Sequence, residues 1–420
     1  MSGATPAGSR PRDHSAPEDR NPAGTWLVPV LTLSTFVTML QAMALGPLLP
    51  DISEDLDTSV SLLGQIPAAT MFLAALIGFV AGPLADRLGH HRALLGGLVA
   101  VAVSSACMAL APQFALLLAA ALIGSLGRAV VQPVAVVIAG DRFNGDRQRR
   151  AVSWVMAGVT GAVIAGVPAL TTVAEAFGWR AALAGLAGLS AALVPFVRLG
   201  LGSAEPPSAP GATLTRVFSA YHPLLAHRPT LALIIATLLG SAGIWVMATY
   251  LGAFYDEQHG YTTRQIGWVY FVPGVTLFLG SLAAGSRIGA LPLRPIFVIA
   301  RVVTGLAIAG VLALPIPAIM GVGLLAVQGL STGLSGVAVV LLLMRESPAG
   351  HATTLTLNTA ALSLGTGLGS TLGGLLLSIG DFELLGLAAL LLSVASGALV
   401  WAVPVRAEHM SRVPSISRPT

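Results

Sequence analysis

Long, uninterrupted apolar runs alternate with short polar clusters along most of the chain. The runs are rich in Ala, Leu, Gly and Val and lack the period-two alternation of membrane-barrel strands, so they predict helices. A run of about 20 apolar residues is long enough to cross a bilayer as a helix. Twelve such spans are predicted, at 26–49, 61–81, 93–111, 115–139, 151–173, 180–201, 230–254, 265–289, 293–314, 317–344, 351–379 and 382–403.

The twelve spans fall into two groups of six. An N-terminal bundle is expected at 26–201 and a C-terminal bundle at 230–403, with a Pro-, Ser- and Gly-rich linker at 202–229 between them. Polar tails at 1–25 and 404–420 flank the bundles, and the composition of the first tail is typical of disorder. The predicted fold class is therefore an all-α integral membrane protein.

The two halves of the chain are weakly similar in sequence. GFVAGPLADRLG (78–89) has a counterpart in GSLAAGSRIGAL (280–291), and RRAVSW (149–154) has one in GHATTL (350–355). Each pair occupies equivalent positions in its half, which indicates a parallel six-plus-six repeat. Secondary transporters with this organisation bind their substrate near the middle of the membrane, between the repeats.

Composition indicates lipid as the surrounding solvent. Hydrophobic residues make up 55% and charged residues 10% of the 420 residues, compared with about 45–50% and about 25% in soluble domains. A chain of this kind must satisfy its backbone inside the bilayer, which helices do within one segment.

The basic residues predict an orientation. All 22 are Arg, and 18 of them lie in the tails and in the loops on the same side as the tails. Only Arg180 and Arg264 lie on the opposite side, while Arg128 and Arg301 fall inside spans. Because Arg accumulates in cytoplasmic loops, both termini are expected in the cytoplasm and the protein in the inner or plasma membrane. No single basic face is available for nucleic acid.

Enzyme chemistry is not expected. GLSTG (329–333) fits the G-x-S-x-G pattern of hydrolases, but it lies in an apolar span instead of the strand–turn–helix that the motif requires. The sequence has no metal-ligand cluster or phosphate-binding loop, so we expect no cofactor. Cys107 is the sole cysteine, which excludes an intramolecular disulfide, and it is expected to be a packing residue. The expected partners are a small-molecule substrate, the lipid bilayer and possible coupling protons, with the chain as a monomer.

A polar cluster, GPLADRLGHHR (82–92), separates the second and third spans. It resembles the loop-2/3 signature of the major facilitator superfamily, G-x-L-a-D-R-x-G-[RK]-[RK]. LLPDI (48–52) and GVPALTTVAEAFGWR (166–180) add to the resemblance, the latter to the twelve-helix drug/proton and sugar-efflux antiporters. The similarity covers about 26–403, and it implies transport by alternating access.

The cluster has a physical interpretation of its own. Its glycines permit a tight turn and close helix approach, and an Asp beside a helix N-terminus and Arg partners makes charge-assisted hydrogen bonds. Such a latch would hold one side shut in one state and release it in the other. The alternative is that the Asp is simply solvated and the Arg residues only set topology. The gating motif comprises Gly82, Asp86, Arg87, Gly89 and Arg92. His90 and His91 replace the usual Arg/Lys pair, either as neutral substitutes or as a pH-sensitive element.

Arg128 lies in the middle of the fourth span, with Gln132 one turn further on the same face. A charge at this depth costs about 2.5–3.5 kcal/mol on insertion scales, which marks a functional candidate. The resemblance implies an Arg at the position of Ala121, two turns before Arg128 on the same face. The alternative is that Arg128 anchors structure by bonding helix carbonyls.

No carboxylate lies in the middle of a span. The acid that many proton antiporters of the family carry in the first span would fall at Ala42, beside Gln41. With Arg128 unopposed, electrostatics disfavours cations and favours neutral or anionic substrates. Proton coupling would then use a residue at a mouth of the pathway, and Asp51 is the candidate.

Further polar residues in the spans are candidates for the cavity, namely Gln41, Trp245, Thr249, Tyr250, Gln328 and Asn358. Spans one, four, seven and ten line the cavity in the resembling family, and all of these residues except Asn358 of span eleven lie in one of them. Trp and Tyr also form interfacial belts, so each aromatic has a structural alternative.

Other features are expected to be structural. Arg301 is expected to extend to the membrane surface, and Gly365, Gly369 and Gly373 form a G-x-x-x-G repeat for helix packing. Helix interruptions are expected at Pro47, Pro133, Pro168 and Pro273.

These features together predict a secondary active transporter that exports a small neutral or anionic molecule, drug-like or sugar-like, by proton-coupled alternating access. The alternative within this class is an importer or facilitator without proton coupling. A membrane enzyme would need a buried catalytic cluster, and a sensor would need a soluble signalling domain. The sequence offers neither.

Overall fold

The computed structural model describes residues 23–201, 222–285, 292–348 and 351–403. The regular elements in this part of the chain are all helical, and twelve helices are long and apolar enough to cross a membrane. The predicted all-α membrane fold is therefore confirmed.

The first six membrane helices are α1 (Ala23–Asp55), α2 (Gln65–Leu88), α3 (His90–Ala109), α4 (Phe114–Arg142), α5 (Gly145–Phe177) and α6 (Trp179–Leu201). The second six are α7 (Arg228–His259), α8 (Thr263–Gly285), α9 (Leu293–Ala313), α10 (Ala318–Glu346), α11 (His351–Ile379) and α12 (Phe382–Ala402). A single helical turn, Val60–Leu63, precedes α2. We call the side where α1 begins and α12 ends the tail side, and the opposite side the far side.

Packing within each half joins helices that are mostly not consecutive in the chain. In the N-terminal bundle, α1–α6, helix α3 packs on α4 and α6, while α1 packs on α5 and α6. In the C-terminal bundle, α7–α12, helix α7 packs on α11 and α12, and α10 packs on α8 and α9. The bundles meet mainly along two pairs, α2 with α11 and α5 with α8.

Several helices extend beyond the apolar spans that predicted them. Helix α1 continues to Asp55, six residues past the predicted end, and α5 begins at Gly145, six residues before the predicted start. Hydropathy detects the part of a helix inside the hydrocarbon. Polar turns that continue into the headgroup region keep their backbone hydrogen bonds but lose the apolar signal.

The proline predictions were largely wrong. Helices α1, α4 and α8 continue through Pro47, Pro133 and Pro273. Near Pro168 the hydrogen bonding does change, because a π-helical turn at Ala162–Gly166 precedes it. Transmembrane helices tolerate proline where neighbours or local adjustments satisfy the freed carbonyl groups. A break in α7 falls instead at 249–250, where no proline occurs.

The G-x-x-x-G repeat of α11 packs directly on α7. A Cβ at Gly365, Gly369 or Gly373 would collide with a carbonyl oxygen of α7, respectively that of Leu238, Ala242 and Val246. The two backbones therefore touch, which confirms the predicted packing role.

Two predictions for single residues were wrong. Cys107 is exposed on the surface of α3 and does not pack in the interior. Arg301 is only 3% exposed and does not extend to the membrane surface. Its guanidinium lies 5.3 Å from the centre of the Phe297 ring. It also lies against Gly240 of α7, where a Cβ would come within 2.5 Å of the Arg301 Cζ. The missing side chain at Gly240 makes the inward position possible.

Candidate functional site

A small cavity lies inside the N-terminal bundle, among α1, α2, α3 and α4. Its volume is about 10 Å³, which is about enough for one water molecule. Its lining residues are Gln41, Ala42, Leu45, Pro67, Thr70, Met108, Ala121 and Arg128. The cavity thus contains Arg128 and Gln41 together with Ala121, where the family resemblance implies an Arg, and Ala42, where it implies an acid.

Gln41 is held by helix α3. Its Nε2 donates to Ser104 Oγ at 2.9 Å, to Ser105 Oγ at 3.2 Å and to the Val101 carbonyl oxygen at 3.3 Å. Gly124 leaves room for this amide, since a Cβ there would lie 2.7 Å from both Nε2 and Oε1. The Oε1 atom is buried and has no hydrogen-bond partner. The side chain is therefore fixed with a free acceptor.

Arg128 carries free donors into the same cavity. Its Nε and Nη2 atoms are buried and make no hydrogen bond. These two nitrogens therefore do not bond helix carbonyls, as the anchoring alternative required. Buried donors without partners are costly, and a charged donor more so. No carboxylate lines the cavity among the residues that the structure describes. One water molecule fits a cavity of this size and can accept from the guanidinium, and a neutral or anionic acceptor group of a ligand can replace it.

The candidates on α7 and α11 bond within the C-terminal bundle. Thr249 Oγ1 lies 2.7 Å from Ser370 Oγ, and the Tyr250 hydroxyl donates to the Ser370 carbonyl oxygen at 3.0 Å. Asn358 Oδ1 accepts from Thr237 Oγ1 at 3.0 Å. These side chains fasten α7 to α11, and they do not share the cavity of Arg128.

The remaining candidates also lie apart from that cavity. Gln328 is 5% exposed, and its Nε2 donates to Thr332 Oγ1 at 3.0 Å within α10. Gln132 and Trp245 are half-buried on α4 and α7. The structure therefore brings together two of the eight candidates, Arg128 and Gln41.

The far side carries polar contacts between the bundles. Both carboxylate oxygens of Asp51 accept from Thr263 Oγ1, at 3.0 and 2.9 Å. Glu175 Oε2 accepts from the Arg264 backbone N–H at 2.8 Å, and Glu175 Oε1 lies 3.8 Å from the Arg264 guanidinium. We call these four residues the far-side clasp.

Two residues of the clasp, Thr263 and Arg264, lie in the first turn of α8. The Thr262 N–H donates to Gln265 Oε1 at 2.9 Å, and the Gln265 N–H donates to Thr262 Oγ1 at 3.4 Å. This reciprocal capping box leaves the Arg264 N–H to Glu175. The positive end of the helix dipole then faces two carboxylates of the other bundle. Sequence reasoning selected Asp51 but missed Glu175, although T-x-x-Q at 262–265 signals a capped helix start.

Further contacts close the far side around the clasp. Ser61 Oγ donates to the Gly374 carbonyl oxygen at 2.6 Å. A Cβ at Gly252 would come within 2.6 Å of the Gly46 carbonyl oxygen, so α7 and α1 touch by backbone. Tyr250 packs over Gly64, which explains why it is only 1% exposed. Tyr250 is thus a contact between bundles in this conformation.

The gating motif lies at the tail-side turn between α2 and α3. Gly89 has φ of 84°, a conformation that favours glycine, and it confirms the predicted turn. Gly82 lies inside α2, so its predicted place in the turn was wrong. Arg92 is exposed. The side chains of Asp86 and Arg87 lie outside the described part of the structure, and their latch remains a prediction.

Comparison with known proteins gives a consistent family. The model described as "Major Facilitator Superfamily" matches residues 31–356. YtbD of Bacillus subtilis, an uncharacterized MFS-type transporter, is 28% identical over 338 residues, which cover 78% of this chain and 83% of the relative. The inner membrane transport protein YdhP of Escherichia coli K12 is 25% identical, with 79% and 84% covered. A chloramphenicol resistance protein of Streptomyces lividans is 28% identical over 247 residues, with 57% and 61% covered.

A solved structure shows the same fold. It is the crystal structure of a bacterial homologue of the human lysosomal transporter Spinster, in an inward-facing and unoccupied conformation. The TM-score is 0.70 at 15% sequence identity, with 91% of this chain and 95% of that chain covered.

Proposed function

The chain belongs to the major facilitator superfamily, and we propose that it exports a small neutral or anionic molecule by proton-coupled alternating access. Transport through a multi-pass membrane fold follows from the family. The substrate class, the direction and the coupling are the proposal.

One observation carries the substrate class. Arg128 presents two buried, unbonded guanidinium nitrogens beside a cavity whose described lining contains no carboxylate. A cation would be repelled there, and it would leave the donors unsatisfied. A neutral polar or anionic group would supply the missing acceptor, and the free Oε1 of Gln41 could receive a donor from the same group.

The direction rests on two supports. The Arg distribution favours a cytoplasmic tail side, so that the far-side clasp closes the external end. A transporter closed at that end exchanges substrate only with the cytoplasm, which is the loading state of an exporter and the release state of an importer. The similarity to a chloramphenicol resistance protein is consistent with export of a drug-like compound.

Proton coupling is assigned to Asp51. Both oxygens of its carboxylate accept from the one hydroxyl hydrogen of Thr263 of the other bundle, so its protonation would weaken the contact that keeps the far side closed. A proton taken up there would favour opening to the outside, and coupling of export to the gradient requires that this proton leave to the cytoplasm in the return step that closes the far side again.

Accumulation in cells tests the proposal. The experiment compares cells that contain the wild-type protein, cells that contain the Arg128→Ala variant and cells that contain neither. Each receives three radiolabelled compounds: neutral chloramphenicol, anionic benzoate and the permanent cation tetraphenylphosphonium. We expect lower accumulation of the neutral or the anionic compound with the wild-type protein alone, and no effect on the cation. A protonophore should restore accumulation. Protonophore-insensitive equilibration would instead indicate a facilitator, and selective export of the cation would contradict the role of Arg128.

A further inference from the structure

A second and larger cavity lies between α8 and α10 in the C-terminal bundle. Its volume is about 350 Å³, within the range of about 300–1,000 Å³ that is usual for small-molecule pockets. Its lining residues are Leu277, Ser281, Thr332, Gly333, Gly336, Val337, Val340 and Leu341. We call this cavity the α8–α10 recess.

Two glycines of α10 create the recess. At Gly333 the helices touch, since a Cβ there would collide with the Leu277 carbonyl oxygen and come within 2.7 Å of the Ser281 backbone nitrogen. One turn nearer the tail side, a Cβ at Gly336 would meet nothing within 4 Å. The helices therefore separate just beyond their contact, and Gly336 leaves the resulting space unfilled.

Helical periodicity places the Ser281 side of the recess on the face of α8 that contacts the N-terminal bundle. Gly267 and Gly274 of α8 contact α5, at Thr171 and at Val163. Ser281 follows Gly274 by seven residues, which is two helical turns, so it continues the same face toward the tail side. Leu277 of the recess is 37% exposed, and the more exposed Leu279 and Leu282, at 50% and 55%, project from other sides of α8.

The recess lies at the depth of Arg128. Helices α4 and α10 each have 29 residues, and they run in the same direction from the far side. Arg128 and Thr332 each follow the first residue of their helix by fourteen positions. The two bundles thus present Arg128 and the recess at equivalent levels of the membrane.

The lining determines what can bind. None of the lining residues is charged, and most are aliphatic or glycine. The Ser281 hydroxyl is already used, since it donates to the Leu277 carbonyl oxygen at 2.9 Å. Thr332 Oγ1 accepts from Gln328 Nε2 at 3.0 Å, which leaves the Thr332 hydroxyl hydrogen free to donate. The recess is therefore an apolar pocket with one oriented hydrogen-bond donor.

We propose that the α8–α10 recess binds the uncharged apolar body of the transported molecule, with a hydrogen-bond acceptor of that molecule on Thr332. This inference rests on the proposed function and narrows it, because a sugar has no apolar body of this size. The substrate class becomes an amphipathic drug-like compound.

Photolabelling with benzophenone tests the recess directly. Benzophenone is neutral and apolar, has one carbonyl acceptor, and inserts into nearby C–H bonds on irradiation. In the full-length protein in lipid nanodiscs, we expect saturable adducts on residues 277–281 and 332–341, mapped by mass spectrometry. The Gly336→Leu variant fills the recess and should reduce these adducts about ten-fold, as expected for the loss of a specific pocket.

The matched control is Gly323→Leu. Gly323 is also in α10, and a Cβ there also meets nothing within 4 Å, but it does not line the recess. This variant should retain the adducts. Gly336→Ala, a smaller change, should give an intermediate loss and guards against misfolding of the Leu variant. Absent or non-saturable recess adducts in the wild-type protein, or equal labelling of all variants, would overturn the assignment. If labelling of the recess increases when lipid is replaced by detergent, a lipid chain had competed with benzophenone for the recess. That result would also overturn the assignment.

Export measured in the same variants separates this inference from the proposed function. Loss of export in Gly336→Leu but not in Gly323→Leu supports both. Specific recess labelling without export of any compound in the wild-type protein would reject the export proposal and keep the binding site. Equal export by the two variants would reject the recess as the substrate site and keep the export proposal.

Discussion

Arg128 and Arg301 lie in the apolar parts of membrane helices, and their surroundings assign them different roles. Arg301 is 3% exposed, stacks on Phe297 and occupies the space left by Gly240. Its Nε and Nη1 also make no hydrogen bond, so the cavity, and not the free donors alone, distinguishes Arg128. Arg128 is half-buried and lines a cavity with free donors. A guanidinium enclosed by apolar atoms contributes to packing, whereas one that opens on a cavity can receive a ligand.

Replacing Arg128 with Met separates a binding role from a structural one. We expect transport to fall at least about ten-fold, because the donor for the substrate is lost. The thermal unfolding temperature in detergent should not fall, since Nε and Nη2 make no hydrogen bond and the variant removes a charge that costs about 2.5–3.5 kcal/mol at bilayer depth.

The control for this variant is Arg198→Met, which removes an exposed Arg of α6 and should leave transport unchanged. A clear drop in the unfolding temperature of Arg128→Met would show that Arg128 anchors the bundle. Full transport in that variant would remove Arg128 from the substrate site.

Gly240 tests the position of Arg301. A Cβ at Gly240 would lie 2.5 Å from the Arg301 Cζ, so Gly240→Ala should destabilise the protein by about 1–3 kcal/mol, the usual cost of overpacking. Gly96→Ala is the matched control, since a Cβ there meets open space and the change should even stabilise the helix by up to about 1 kcal/mol. Thermal unfolding of both variants measures the difference. Equal stability would contradict the inward position of Arg301.

At the scale of helices, hydropathy predicted which segments cross the membrane. It did not predict helix ends or breaks that depend on contacts with neighbouring helices. All twelve helices follow from apolar runs, because a span must be apolar to lie in lipid. The polar end of α1 at Asp55 and the break in α7 gave no such signal. Spacing placed Ala121 and Arg128 on one face, and both line the same cavity.

The sequence could not predict hydrogen-bond partners on neighbouring helices. Asn358 and Thr249 look like free polar groups in an apolar span, but each finds a partner on a neighbouring helix, at Thr237 and Ser370. Only the packing of α7 against α11 reveals that these groups are satisfied. Arg128 differs because no such partner reaches its Nε or Nη2.

The first turn of α8 provides a prediction for the far-side clasp. Asp51→Asn combined with Glu175→Gln removes two negative charges from the positive end of this helix. Loss of these charge-assisted contacts should shift the equilibrium from the closed toward the open far side. Spin labels at Thr58 and His259, on a Cys107→Ser background, would report the change as a larger population at long distance.

Glu383→Gln is the control for the clasp, because it removes an exposed far-side carboxylate at the start of α12. It should leave the distance distribution as in the parent. An unchanged distribution in the double variant would show that the glycine and tyrosine contacts around Gly46 and Gly64 hold the far side closed without the clasp.

At the scale of the whole molecule, the described contacts explain closure of one side. The clasp and the backbone contact of Gly46 with Gly252 join the bundles at the far side. The Arg128 cavity and the α8–α10 recess lie deeper, near the middle of their helices. Alternating access requires that a second set of contacts close the tail side when the clasp opens, and the gating motif lies at that side.

The gating motif should therefore control the rate of the cycle and not the affinity for substrate. Asp86 is distant in sequence from Arg128 and from the recess, and it precedes the positive-φ turn at Gly89 that starts α3. If its carboxylate closes the tail side, Asp86→Asn weakens one of the two end states by about 1.5–3 kcal/mol, the usual value for a hydrogen bond to a charged group. Turnover should fall by about ten-fold or more, while the half-saturating substrate concentration changes less than about three-fold.

Asp146→Asn provides the comparison for Asp86→Asn. Asp146 is also a tail-side carboxylate, but it is exposed and pairs only with Arg149 of its own helix among the described contacts. Exposed pairs of this kind contribute about 0–1 kcal/mol, so this variant should transport normally. If Asp86→Asn instead raised the half-saturating concentration and left turnover intact, the motif would act on the binding site. The closing of the tail side would then have to be assigned to other contacts.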